Sequence, residues 1–260
     1  MSKTVKWVLA GLPNVGKTTL FNRISGEHCH TGNWAGVTVD QHIYQFNFGQ
    51  QKFCIADLPG ILSVYDQGDQ IDHVVAKKEI SRADLVINVV DGRAIHRDLV
   101  LSLQLLCYQK PMVCVITHEN EIKHLEGVKN ALPAPVILAS EFSLAKLVEL
   151  SKNLTVLDVD QVIDWPIGFS QDWKKMENFT PLERINRLIQ KGEHPELGPY
   201  DILIAEGFFQ TAATQIDRYG CRALSPNHHY YIDRWVLDAK FGLPIFLCVM
   251  YCIFSFTIGV

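Results

Sequence analysis

Eight residues near the start of the chain have the types and spacing to grip a phosphate. They are Gly11-Leu12-Pro13-Asn14-Val15-Gly16-Lys17-Thr18, which read as G-x-x-x-x-G-K-T. The glycines permit a tight turn in which successive backbone N–H groups converge on one anion. A helix starting at Lys17 adds the positive end of its dipole. In that arrangement Gly11, Asn14, Val15, Gly16, Lys17, Thr18 and Thr19 line the anion site. The Lys17 ammonium reaches the outer phosphates and the Thr18 hydroxyl ligates Mg²⁺. A glycine-rich turn can match by chance, but here residues 5–10 read as a strand and residues 18–24 as a helix start, the context this chemistry requires.

Two further segments have the chemistry to sense a terminal phosphate. Asp57-Leu58-Pro59-Gly60 follows an apolar run and reads D-x-x-G. Asp57 holds Mg²⁺ through water. The Gly60 N–H bonds the terminal phosphate and couples residues 60–72 to the nucleotide state. Between the two motifs lies Gly32-Asn33-Trp34-Ala35-Gly36-Val37-Thr38-Val39. A threonine is needed here to complete the Mg²⁺ shell. Thr38 is preferred to Thr31 because it sits just before a strand; without the flanking motifs it would read as an ordinary β-branched strand residue. Asp66, Asp69 and Asp72 are near enough to act as a base, but read better as a solvated acidic segment.

These residues need a scaffold, and the pattern around them supplies one. Apolar runs at 5–10, 42–48, 52–57, 85–91, 112–117 and 135–139 alternate with helical patterns at 17–25, 72–82, 98–109, 120–130 and 143–152. That alternation predicts an α/β fold, a mainly parallel sheet flanked by helices. The three-residue link Gly49-Gln50-Gln51 makes 42–48 and 52–57 an antiparallel hairpin, with one edge strand in an otherwise parallel sheet. Past Asp164-Trp165-Pro166 the strand pattern ends. Thr180-Pro181-Leu182-Glu183 is a capping box with Pro at the first turn. Leu182, Ile185, Leu188 and Ile189 follow at helical spacing. Ile202, Ala205, Phe209, Ala212, Ala213 and Ile216 form a second face that stops at Gly220, and a third helix runs over 226–240. The expected division is 1–164 for the nucleotide domain, 165–240 for an all-α subdomain, and 241–260 for the start of a transmembrane helix.

Composition narrows the class. The formal charge is -4 over 260 residues, which disfavours a nucleic-acid partner. The seven cysteines show no zinc spacing and sit mostly in apolar runs, as reduced core residues would. Residues 1–4 lack the apolar region of a signal peptide. Residues 241–260 carry no charge and are long enough to cross a bilayer; a buried core helix would show a polar face, and none is seen. Arg234 and Lys240 precede the run and place the upstream domain on the cytoplasmic side. The apolar run is still going at residue 260, as in the leading piece of a longer membrane protein. Glu27-His28-Cys29-His30 resembles a ligand cluster, but adjacent residues on one loop seldom make a rigid site. His228-His229 reads as a helix start. Cys248 and Cys252 share one face of the apolar run and could line a path for a soft cation, though small packing groups are commoner there.

Together the P-N-x-G-K-T loop, G-N-W-x-G-V-T-V, D-L-P-G, the helical insert and the run from Ile232-Asp233-Arg234 to Gly242-Leu243-Pro244-Ile245-Phe246 resemble the N-terminal region of FeoB, the prokaryotic ferrous-iron transport protein B. The resemblance covers nearly the whole chain. It implies a Ras-like P-loop GTPase domain, a helical spacer akin to a GDP-dissociation inhibitor, and a Fe²⁺ permease in the same polypeptide at the bacterial inner membrane. It also implies GTP and GDP as ligands with Mg²⁺. Homo-oligomers and small accessory Feo proteins come with it as expected partners. Asn14 holds the place of a residue that helps ligate K⁺, with carbonyls of the Gly32-Asn33-Trp34 loop completing the shell; the plainer role for Asn14 is to stabilise the turn. Lys17, Asn14, Thr38 and Gly60 are then the catalytic set. Ile61 stands where Ras-like proteins carry a water-orienting side chain, so hydrolysis is expected to be slow.

The chain departs from that family at the base. Guanine selection there uses Asn-x-x-Asp after a strand, and here Thr117 replaces the Asn and Asn120 the Asp. An Asn offers one acceptor and one donor, so one guanine donor goes unmatched, at a cost of about 1–3 kcal/mol; the same pair suits xanthine. Either base selectivity is low, or Glu119 or Glu121 supplies the acceptor. Ser140 and Glu141 occupy the second base loop. Two rival readings stand beside the transporter domain: a soluble regulatory GTPase, which would need a basic surface, and a degenerate nucleotide-binding domain with relaxed base preference.

Overall fold

Apolar runs bracketed by turn residues become the sheet, and its order decides what lies beside the phosphate loop. The computed structural model describes residues 4–26, 30–33, 40–63, 71–166 and 168–221. Among them, seven strands form one sheet: β1 (Val5–Ala10), β2 (His30–Asn33), β3 (Asp40–Phe48), β4 (Gln51–Asp57), β5 (Leu85–Asp91), β6 (Met112–Thr117) and β7 (Val136–Leu138). The order is β2-β3-β4-β1-β5-β6-β7. β1 pairs in parallel with β4 and β5, and β5, β6 and β7 continue in parallel. β2 and β3 run antiparallel.

The hairpin expected over 42–48 and 52–57 is present, with Phe48 opposite Gln51. Its first strand is not the sheet edge, however, because β2 pairs outside it. His30-Thr31-Gly32-Asn33 has no apolar alternation, so only the neighbouring ladder reveals it as strand. β1 and β5 are central and covered on both faces, which is why their sequences are nearly all apolar. Trp7 on β1 packs against Phe53 and Phe46, with ring centroids 4.7 and 5.8 Å away.

Nine helices appear among the described residues: α1 (Lys17–Ser25), α2 (Ile71–Ser81), α3 (Ile95–Leu105), α4 (Leu125–Ala131), α5 (Leu144–Ser151), α6 (Val159–Val162), α7 (Phe169–Lys174), α8 (Pro181–Lys191) and α9 (Tyr200–Tyr219). α3 is strapped to β5 by buried polar groups. Asn88 Nδ2 donates to Ser102 Oγ at 2.6 Å, and Ser102 donates to the Asp98 carbonyl at 2.8 Å. The Asp91 N–H donates to Asp98 Oδ2 at 2.7 Å. Each group is satisfied, so the strap costs little to bury.

From residue 168 onward the described chain is helical apart from a two-residue ladder, β8 (Glu193–His194) and β9 (Gly198–Pro199), which the sequence did not announce. The capping box at Thr180 forms as read, with the Thr180 hydroxyl and Glu183 carboxylate reciprocally bonded. α9 ends at Gly220 in the left-handed region, φ 65. The face expected on α9 is only half right. Ala212 and Ile216 are buried, but Ile202 and Phe209 are 59% and 60% exposed. The buried stripe runs instead through Leu203, Ile204, Gly207, Phe208 and Thr211. Gly207 fixes that choice, because a Cβ there would lie 2.6 Å from the Trp165 ring. α9 packs on α3, α4 and α8. A helix over 226–240 and the apolar run 241–260 lie outside the described residues. No helix among the described residues is long and apolar enough to cross a membrane.

Asp172 ties α7 to α8 and α9, with Lys191 Nζ of α8 3.7 Å from its Oδ2. Tyr200 OH donates to Asp172 Oδ2 at 2.6 Å, and Lys175 Nζ donates to Asp172 Oδ1 at 2.8 Å. These donors hold the Asp172 carboxyl down at about 2. The folded pKa is depressed, so the contribution is complete above the ordinary carboxylate value and fades as pH falls from about 4 to about 2. Asp172→Asn is expected to lower stability at neutral pH by about 1–2 kcal/mol, given that the lysine is exposed to water. It should also flatten the loss between pH 4 and 2; thermal melts followed by circular dichroism across that window read both effects.

Candidate functional site

β1 delivers the phosphate loop at the carboxyl edge of the sheet, beside β4 and β5. Gly11 must be glycine, because a Cβ would sit 2.6 Å from the Val89 carbonyl oxygen. Asn14 lies in the left-handed region at φ 64, which asparagine tolerates better than most residues. Gly16 caps α1 at φ 94. Val15 is buried and anchors the loop from beneath, while Thr18 and Thr19 are exposed on the first turn of α1.

Lys17 is 7% exposed and donates to the Leu12 carbonyl at 2.8 Å and the Gly11 carbonyl at 3.2 Å. Burial pushes its pKa down, opposed by the negative charges of Asp57 and Asp98. The Thr18 hydroxyl donates to Asp57 Oδ2 at 2.8 Å. Asp57 Oδ1 is buried with no hydrogen-bond partner among the described residues. Burial also raises the Asp57 carboxyl, against the Thr18 hydrogen bond and the Lys17 charge. Two adjacent oxygen donors, one of them orphaned, fit a hard divalent cation such as Mg²⁺.

The D-x-x-G turn lies directly on the phosphate loop. The Ile61 N–H donates to the Gly11 carbonyl at 3.2 Å, and the Leu58 N–H to the Leu9 carbonyl at 3.2 Å. A Cβ on Gly60 would fall 2.9 Å from Pro13 backbone and ring atoms. The Ile61 side chain is wholly buried. Together these residues wall a cleft of about 500 Å³ lined by Pro13, Asn14, Lys17, Thr18, Asp57 and Gly60, with His42 and Asp72 at its margin. His42 was missed in the sequence; its place opposite Asp57 follows from the hairpin register.

The loops after β6 and β7 flank the other side. The Thr117 hydroxyl donates to the Val15 carbonyl at 2.8 Å, tying β6 to the phosphate loop. Glu119 Oε1 accepts the Ser140 N–H at 2.9 Å. Burial works to raise the Glu119 carboxyl, but the Ser140 hydrogen bonds outweigh it and hold it low. Arg23, at the far end of α1, donates to the Ala139 carbonyl. Glu141 is exposed and paired with Lys146 at 2.9 Å, so its charge is turned onto α5. Asn120 is exposed, and its side chain pairs with no other described residue. The structure thus gathers Gly11, Asn14, Val15, Gly16, Lys17, Thr18, Asp57 and Gly60 at one end of the sheet, with Thr117 bonded to the phosphate loop, while Asn120, Ser140 and Glu141 sit on the turns that follow β6 and β7.

Thr38, Asp66 and Asp69 lie outside the described residues, as do Cys29, His228-His229, Cys248 and Cys252. Cys54, Cys107, Cys114 and Cys221 are free thiols. Burial pushes Cys107 and Cys114 up to about 12, so both stay protonated. No cluster of three metal-ligating side chains occurs among the described residues.

A family model for ferrous iron transport protein B matches residues 5–153. The chain belongs to the FeoB family. The Fe(2+) transporter FeoB of Methanocaldococcus jannaschii is 42% identical over 106 residues, covering 40% of this chain and 16% of that protein. The Helicobacter pylori FeoB (strain 26695) is 29% identical over 266 residues, covering 99% of this chain. This chain spans 38% of the length of that H. pylori protein. Among solved structures, the cytosolic domain of T. maritima FeoB in a GDP form superposes with a TM-score of 0.69 at 26% identity, covering 84% of this chain and 98% of that one. Its GMPPNP form gives 0.67 at 25% identity, covering 83% and 98%. This member of the FeoB family carries the phosphate-loop and D-x-x-G residues, with Thr117 and Asn120 after β6.

The Thr117 hydroxyl supplies a donor to a carbonyl of a buried residue, and removing it should show. Thr117→Val is expected to destabilise the fold by about 1–3 kcal/mol, while Thr117→Ser stays near the parent. Urea denaturation of the three proteins measures this directly.

Proposed function

We propose that this chain is the GTP-binding and GTP-hydrolysing part of a membrane ferrous-iron transporter, and that its nucleotide state governs Fe²⁺ uptake by a permease in the same polypeptide. The observation that carries this reading is the meeting of Lys17, Thr18, Asp57 and Gly60 in one cleft at the carboxyl edge of a parallel sheet. In the proposed division, 1–164 is the nucleotide domain, 165–240 a helical relay and 241–260 the start of the first membrane helix. The nucleotide domain and the helical relay would sit on the cytoplasmic side of a bacterial inner membrane. Homo-oligomers and small accessory proteins of the same transport system belong to the proposal as partners; nucleic acid does not.

The residues act as follows. Backbone N–H groups of the loop bind the phosphates, and Lys17 swings from the Gly11 and Leu12 carbonyls onto the outer phosphates. Thr18 and Asp57 would hold Mg²⁺, with Thr38 completing the set. Bound there, Mg²⁺ draws negative charge off the phosphate oxygens. Asn14, exposed at the cleft wall, would help hold K⁺, whose charge offsets that building up in the transition state. The Gly60 N–H reports the terminal phosphate. With the Ile61 side chain buried, no residue at that position orients the attacking water, so turnover is slow. Release of the terminal phosphate frees the segments around Thr38 and Gly60 and shifts the population of conformers.

Lys17→Ala is expected to weaken GDP and GTP binding about ten- to hundredfold by calorimetry. In the parent, phosphate release should run faster in K⁺ than in Na⁺. A Lys17→Ala protein that binds and cleaves GTP like the parent rules the proposal out.

A further inference from the structure

The sheet order puts β4 on one side of β1 and β5, β6 and β7 on the other. The β4 side carries Asp57 and Gly60, the groups suited to Mg²⁺ and the terminal phosphate. A nucleotide resting its phosphates on residues 11–18 therefore directs its base to the other side, toward the turn after Thr117, which is tied to the loop at Val15. The turn carries Glu119, Asn120 and Glu121, and Glu141 follows β7. Glu119 is occupied by the Ser140 N–H at 2.9 Å. Glu141 is paired with Lys146. Asn120 is exposed, and its amide pairs with no other described residue.

We infer that Asn120 reads the base, and that it favours a purine with an acceptor at the 2-position, xanthine over guanine. The inference rests on the nucleotide-site reading given above and names its substrate class. A side-chain amide presents one acceptor and one donor side by side. Its oxygen takes the purine N1–H, and its NH₂ then meets whatever is attached to C2. In guanine that is an amino group, so donor faces donor and one hydrogen bond is lost. In xanthine it is a carbonyl, and both hydrogen bonds form. In hypoxanthine it is C–H, with neither bond nor opposition. The expected order of affinity is xanthosine, then inosine, then guanosine diphosphate. A carboxylate at residue 120 would accept from both guanine donors and reverse that order. Glu119 does not replace it, because its Oε1 closes the two base loops on each other, and the Glu121 charge acts on Arg93.

The test is calorimetric titration of the three diphosphates into the 260-residue chain. Xanthosine diphosphate should bind about ten- to hundredfold more tightly than GDP, and Asn120→Asp should invert the ratio. Glu119→Gln should weaken all three ligands together and leave the ratio unchanged. A parent protein that binds GDP as tightly as xanthosine diphosphate, or a Glu119→Gln protein that loses GDP selectively, overturns the inference while leaving the phosphate site standing. Failure of the site itself looks different: no diphosphate binds, Lys17→Ala changes nothing, and both readings fall.

Discussion

The carbonyl oxygen of Gly11 accepts two hydrogen bonds, one from the Ile61 N–H and one from the Lys17 ammonium, each at 3.2 Å. The first joins the phosphate loop to the turn that follows β4. The second parks a buried cation on the loop's own backbone. The oxygen can sit there only because Gly11 has no side chain to strike the Val89 carbonyl. Much of the functional end depends on this point. If Lys17 leaves for a phosphate, the Ile61 bond remains, so the turn around Gly60 stays in register with the loop it must report to.

The charges in the cleft are balanced by burial rather than by water. Burial lowers the Lys17 pKa and raises that of Asp57, and each charge partly rescues the other. Such a pair is held ready for partners stronger than itself, an anion for the lysine and a cation for the carboxylate. The orphaned Asp57 Oδ1 is the atom that a cation would meet. On the far side the logic is different. There the carboxylates are matched in advance, Glu119 with Ser140 and Glu141 with Lys146, and the Asn120 amide is the group left to meet a base.

The phosphate loop, the D-x-x-G turn and the parallel strands were legible because each is local: a glycine spacing, a strand end, an apolar run. β2 was not, since its four residues are polar or small and only pairing with β3 makes them strand. α6 and α7, four and six residues long, are too short to show a period. The face of α9 was misjudged because apolar residues ring the helix, and the contact at Gly207 with Trp165 chooses between two stripes. The Glu119–Ser140 bond joins residues 21 apart through the adjacency of β6 and β7, a tertiary fact that no local pattern carries. Thr117 was noted as a departure, but its bond to Val15 depends on where β6 ends relative to the loop.

One dimension of the helical part has a mechanical meaning. α9 is a single 20-residue rod, about 30 Å long. Its Tyr219 end abuts α4 so closely that a Cβ on Gly127 would lie 2.4 Å from the Tyr219 carbonyl oxygen. Its Tyr200 end is pinned by Asp172. A rod of that length turns angle into distance. A tilt of about 5° at the α4 end carries the other end about 2.6 Å, with no bend needed along the way. An adjustment beside β6 and β7 that tilted this rod would therefore be magnified at the distal helices.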